Sequence, residues 1–226
     1  DRILTAMDHI NRGIDLVTDS QERLKLAQYN LVAGRKAKAS AAFDTAAKCF
    51  KAGITLLPLN AWELCYDLCY DLYVEHAQCE FLIGNTAEAK KLFELIISRA
   101  NNELDKADVY SLQMLLYTGK GKYFEAVEIG IKALKRLGMT IPARPSMTDK
   151  LKELLLYKVF MIGRKIEDLY KLPEMKDPVQ RKVAELLIKF IFATCTDYPD
   201  LYALAIVKAG NHTLRYGRTE MAPIGF

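Results

Sequence analysis

The stretch AFDTAAKCFKAGITLLP, residues 42–58, decides how the chain is expected to fold. Ala46, Phe50, Gly53 and Pro58 run small residue, aromatic, small residue, proline, and Gly34 stands twelve positions before Ala46. Small residues let two packed helices approach closely, and an aromatic side chain fills the space beside the next pair. The order returns in AQCEFLIGNTAEAKKLFELII, 77–97, through Ala77, Gly84, Ala89, Phe93 and Ile96. A third copy, MLLYTGKGKYFEAVEIGIKAL at 114–134, carries Met114, Tyr117, Gly121, Ala126, Gly130 and Ala133. Here Gly130 stands where the aromatic belongs, so this copy is degenerate.

These are the spacings of a tetratricopeptide repeat, with intervals of 43 and 37 residues in place of the standard of about 34. Longer helices or wider turns must absorb the difference. A helical hairpin cannot bury its apolar face alone, so the expected fold is all-α, a right-handed solenoid of stacked hairpins with about ten helices. Leu, Ala, Lys and Glu dominate, and apolar residues recur at three and four. Helices are predicted over 2–17, 20–34, 37–56, 61–83, 86–100, 103–118, 122–137, 148–171, 178–195 and 199–216. Thr86 is expected to cap a helix start and Gly84 to end the helix before it. Lys135, Arg136 and Gly138 suit a helix end, and IPARPS, 141–146, is the best internal boundary. The domain reading is a linker helix at 1–19 from a preceding domain, repeats over 20–140, and a helical continuation over 147–226. The first residue is not Met and RYGRTEMAPIGF stops soon after a helical pattern, so a fragment of a longer protein is expected.

Half of the residues are apolar and 27% are charged, the balance of an ordinary globular protein. Five cysteines without framework spacing point to free thiols in a reducing compartment, the cytoplasm. No apolar run is long enough for a bilayer and DRILTAMDHINRG has no signal-peptide core, so no membrane partner is expected. The net charge of +4 gives nucleic acid little support, but the charge is segregated. Residues 21–53 carry seven Lys or Arg against two acids, and residues 61–110 carry ten acids against four bases. Such opposition guides docking or the packing of neighbouring helices.

Three phrases go beyond a generic repeat: RLKLAQYNLVAGRKAKASAAFDTAAKCFKAGITLLP (23–58), AWELCYDLCYDLYVEHAQCEFLIGNTAEAKKLFELII (61–97) and EAVEIGIKALKRLGMTIPARPS (125–146). From about Ile10 to Gly217 the chain resembles the helical region that follows the AAA- or STAND-type ATPase module in large bacterial multidomain signalling proteins. Those proteins join a Ser/Thr-kinase-like domain, the ATPase, this helical region, sensor domains and often a histidine kinase. The resemblance implies a regulatory arm that senses partners or ligands, and it brings no catalytic residues with it.

The chemical motifs fail individually. GKGKY lacks the spacing, the hydroxyl residue and the strand of a phosphate-binding loop. His9, His76 and His212 are scattered, without ligand spacing, and His76 reads as a satisfied histidine within a repeat. Asn211-His212-Thr213 is a glycosylation sequon with no sign of secretion beside it. Cys79 and His76 lie one helical turn apart, but no oxyanion-hole signature accompanies them. In CYDLCYDLY, 65–73, the period of four is the helix period, with Trp62, Tyr66, Cys69 and Tyr73 on one stripe and Leu64, Leu68 and Leu72 on the next. Catalytic, cofactor and metal residues are therefore expected to be none.

What remains is an interaction surface. Residues on the first helix of each hairpin line the groove of such repeats. The candidates are Gln28, Arg35, Lys36, Lys38, Asp71, Gln78, Asp108 and Ser111. The basic cluster Arg35, Lys36 and Lys38 suits a phosphate, an acidic peptide or a neighbouring domain, and equally a helix C-terminus in solvent. The expected function is a non-catalytic interaction and regulatory module for a neighbouring domain, a peptide or a small ligand. The alternative is a ligand-sensing or nucleic-acid-contacting module using the basic 21–53 surface.

Overall fold

A computed structural model describes residues 2–165 and 171–219. Among them the chain is all-α, its helices packed in sequential pairs, and it forms two compact units, Asp1–Asn101 and Asn102–Phe226.

The first unit contains α1 (Arg2–Arg12), α2 (Ser20–Ala39), α3 (Phe43–Leu56), α4 (Ala61–Leu64), α5 (Tyr66–Leu82) and α6 (Thr86–Arg99). Helix α2 packs on α3, α3 on α5, and α5 on α6. Ala27, Ala33, Ala37 and Ala46 are fully buried together with Phe50. A Cβ on Gly34 would stand 2.4 Å from the Phe50 ring, so the small residue and the aromatic meet across the α2–α3 hairpin. Likewise, a Cβ on Gly53 would lie 2.7 Å from Leu72 Cδ2, which lets α5 close against α3.

The second unit contains α7 (Glu103–Gly119), α8 (Tyr123–Arg136), α9 (Met147–Met161), α10 (Pro178–Thr194) and α11 (Pro199–Tyr216). Helix α10 packs on α7, α8 and α11, and α9 packs on α11. Gly130 on α8 lies directly under Phe190 of α10. The aromatic missing from the third copy is thus supplied by another helix.

The hairpin turns repeat in detail. Backbone N–H groups of Ala42, Asn85 and Lys122 donate to the carbonyls of Ala37, Glu80 and Tyr117 at 3.0, 2.8 and 2.9 Å, the six-to-one bond that closes a helix C-terminus. These turns recur at the 43- and 37-residue intervals read from the sequence. Each needs one residue with positive φ: Gly84 and Gly121 supply it in two turns, and Ala41, at φ 57°, in the first.

Several predicted boundaries move. The predicted helix 2–17 ends at Arg12, a 3-10 turn follows at Ile14–Leu16, and Asp19 caps α2 by accepting from the Glu22 N–H at 2.8 Å. Helix α2 runs on to Ala39 instead of stopping at 34, because Gly34 is a packing glycine inside the helix and not its end. The predicted helix 61–83 breaks at Cys65, whose φ of −142° is non-helical. Leu64 is consequently 69% exposed and leaves the stripe with Leu68 and Leu72. The Thr86 hydroxyl donates to the Gly84 carbonyl instead of capping the helix. Helix α9 ends at Met161, short of the predicted 171, and residues 166–170 lie outside the described part.

Candidate functional site

Helix α2 presents its basic residues to the acidic face of α5. Arg35 donates from Nη2 to Asp71 at 2.8 Å and from Nε to Glu75 at 2.8 Å. Lys38 Nζ donates to the other Glu75 oxygen and, at 3.0 Å, to Gln78 Oε1. Burial opposes the Arg35 charge, but its hydrogen bonds to Glu75 and Asp71 outweigh this and raise its pKa. Arg35, Lys38, Asp71 and Gln78, four of the residues predicted on a common surface, therefore do meet. They meet each other, as the seam between two helices. Lys36 and Gln28 lie exposed on α2.

Asp108 and Ser111 belong to a second seam, between α7 and α10. Lys182 Nζ lies 2.5 Å from Asp108 and also pairs with Glu185. The buried Ser111 hydroxyl donates to Glu185 at 2.7 Å, and Lys189 reaches both Ser111 and Glu185. Burial pushes the Glu185 carboxyl up, yet hydrogen bonds from Lys182, Lys189 and Ser111 prevail and hold its pKa at about 2. The Lys189–Ser111 contact has the outline of a nucleophile with its base. Ser111 already gives its hydroxyl proton to Glu185 and accepts from Lys189, so Lys189 stands as a donor to the hydroxyl and not as its base.

The remaining sequence motifs resolve as packing. Trp62 meets Tyr66 and Tyr73 with ring centroids 5.9 and 5.3 Å apart, and Tyr66 stacks on Tyr70. Cys69 is buried beneath them, its thiol pushed by burial up to about 12. All five cysteines are free, and burial lifts Cys79 to about 11, far from a thiolate nucleophile. His76 Nε2 lies 3.0 Å from Glu80 Oε1, while its Nδ1 is buried without a hydrogen-bond partner, so the histidine is only half satisfied. Among the described residues no group of three or more His, Cys, Asp or Glu converges on a metal-sized point, and no helix is long and apolar enough to cross a membrane.

One feature escaped sequence reasoning. Within the second unit, α9, α10, α11 and the turn after α8 enclose a cleft of about 400 Å³. Its polar lining includes Asn211 and His212, which the sequence offered as part of a sequon and, for His212, as one of three scattered histidines. Asn211 Nδ2 donates to the Glu153 carbonyl and carboxylate at 2.9 and 2.8 Å, and Lys208 pairs with Glu153 at 2.6 Å. His212 Nε2 lies 2.9 Å from Gln180 Oε1. Burial, aided by the nearby Arg215 charge, lowers the His212 pKa to about 4. The i, i+4 spacing of Lys208, His212 and Tyr216 on α11 was the available signal. Their partners on α9 and α10 are distant in sequence.

No family model and no solved structure matches the chain. Over 173 residues it is 29% identical to Hybrid signal transduction histidine kinase G of Dictyostelium discoideum. The match takes in 73% of this chain and 5% of that protein's length. The chain is related to a part of a signalling histidine kinase.

Proposed function

We propose that the chain is a non-catalytic, tetratricopeptide-like helical module that regulates a histidine kinase or ATPase in a multidomain signalling protein. The observation that carries this reading is the similarity to the hybrid histidine kinase across most of the chain. Its small share of that protein's length suits a regulatory arm beside separate catalytic domains. Hairpin turns at repeat intervals, with Gly34 and Phe50 meeting across the first of them, add support. The partner is a neighbouring domain, a peptide or a small ligand, and the location is the cytoplasm. A repeat array can transmit a bound state through the packing of neighbouring helices.

Two assays test this. The purified chain is expected to hydrolyse no ATP, and turnover abolished by a point substitution overturns the reading. In the full-length parent, Phe50→Ala is expected to alter signal-dependent autophosphorylation while leaving nucleotide affinity of the kinase domain unchanged. Unaltered regulation across the signal range also overturns it.

A further inference from the structure

We propose that the cleft between α9, α10 and α11 binds a small organic acid whose carboxylate pairs with Arg215 and whose planar apolar body lies against the aromatic wall. The inference deepens the small-ligand branch of the proposed function and rests on it for its biological purpose. The binding itself rests on the cleft.

Charge selects the anion. Glu153 and Lys208 neutralise each other at 2.6 Å, and His212 is uncharged near neutral pH. Arg215 is therefore the uncompensated charge of the lining. Its guanidinium lies 5.2 Å from the Tyr216 ring centroid, exposed and held by stacking, with no carboxylate paired to it among the described residues. A guanidinium presented in this way suits bidentate capture of a carboxylate.

Shape selects the body. Tyr216 packs on His212 with centroids 4.8 Å apart, and Phe160, Leu156 and Met139 add apolar surface. A cavity of about 400 Å³ lies at the small end of ligand pockets and suits a single small ring.

Beneath the lining two acceptors go unmet. His212 and Asn211 are about 4% and 5% exposed, yet each keeps one buried polar atom without a protein partner, Nδ1 and Oδ1. Gln180 Oε1 can only accept, so His212 Nε2 carries the ring proton and Nδ1 is a bare acceptor. Asn211 spends its amide hydrogens on Glu153, leaving Oδ1 as a second acceptor. Two unmet acceptors are unusual in a protein interior, and both atoms are shut off from the cleft, so charge and shape alone select the ligand.

The test uses the 226-residue chain with 4-hydroxyphenylacetate and tyramine, which share a phenol but differ in carrying a carboxylate or an ammonium group. Binding is read from amide chemical-shift changes. The acid is expected to give saturable shifts confined to residues around the cleft, and the amine none. Arg215→Gln is expected to weaken acid binding roughly tenfold or more, the loss of a charge-assisted hydrogen bond. Leu156→Trp, at a half-exposed wall position, is expected to abolish it by filling the cleft while the circular-dichroism spectrum stays unchanged. Absence of saturable shifts with the acid, equal binding of the amine, or unchanged affinity in Arg215→Gln each overturns the proposal. These readouts contain no kinase, so their failure leaves the regulatory reading standing, and failure of the kinase assay leaves the cleft's ligand standing.

Discussion

Phe190 of α10 occupies the space that a side chain on Gly130 of α8 would need: a Cβ there would fall 2.4 Å from Phe190 Cδ2 and 2.9 Å from Met114 Cε. The third hairpin keeps the aromatic plug of the other two but receives it from outside its own pair. Gly130→Ala is expected to cost about 1–3 kcal/mol by overpacking, and Phe190→Ala about 3–5 kcal/mol by leaving a cavity. The two are coupled. In the Phe190→Ala background the alanine at 130 meets no ring and gains roughly 1 kcal/mol of helix propensity. Urea unfolding of the four species measures this, and simple additivity would contradict the packing described.

Ala41 holds a left-handed φ of 57° in a turn whose counterparts use glycine. Ala41→Gly removes the clash of Cβ with the backbone, at some cost in unfolded-state entropy. A net stabilisation of about 0.5–1 kcal/mol is expected from these opposing effects, read as a higher urea midpoint with unchanged slope.

Glu185 predicts an acid transition. Its folded pKa, about 2, lies below the ordinary 4.5, so the unfolded state binds more protons between these values. Its contribution is therefore complete above about pH 4.5, and is lost as pH falls towards 2. Glu185→Gln is expected to lower stability at pH 7 and to flatten the dependence in that window. His212 acts in a higher window with the same sign. Its pKa of about 4 sits below the usual 6.5, so its contribution declines as pH drops from 6.5 towards 4. Thermal melts of Glu185→Gln and His212→Gln across pH 2–8 separate the two.

The thiols should differ sharply in reactivity. Cys195 is exposed, whereas Cys49, Cys69 and Cys79 are buried with raised pKa values. Under native conditions iodoacetamide is expected to label Cys195 at least tenfold faster than these three, since reaction requires an accessible thiolate. Peptide mass spectrometry reads the order. A buried thiol reacting first would indicate an activated nucleophile that this fold does not explain.

The helical class and the hairpin periodicity were legible because both are local. Ala46, Phe50 and Gly53 repeat a spacing that one turn of helix enforces, and the Gly84 and Gly121 turns announce themselves. Continuity through Gly34 was not legible, since a glycine that ends a helix and one that admits Phe50 look alike in sequence. The candidate surface was half visible. Segregated charge foretold that Arg35 and Lys38 would seek acids, but not that Asp71 and Glu75 in the same unit would take them. The cleft was invisible because its groups come from α8 to α11 and converge only after packing. Helix α9 was recognised, yet nothing in its sequence told that Leu151, Leu155 and Val159 would stay exposed.

The borrowed ring also sets an order of events during synthesis. Gly34 meets its aromatic at Phe50 within one hairpin, so that pair can lock as soon as both helices have left the ribosome. Gly130 must wait until residue 190 has been translated, and until then α7 and α8 expose an unfilled groove. Such a delay makes the third hairpin the natural place for chaperone contact and for misassembly, because contacts distant in sequence close last.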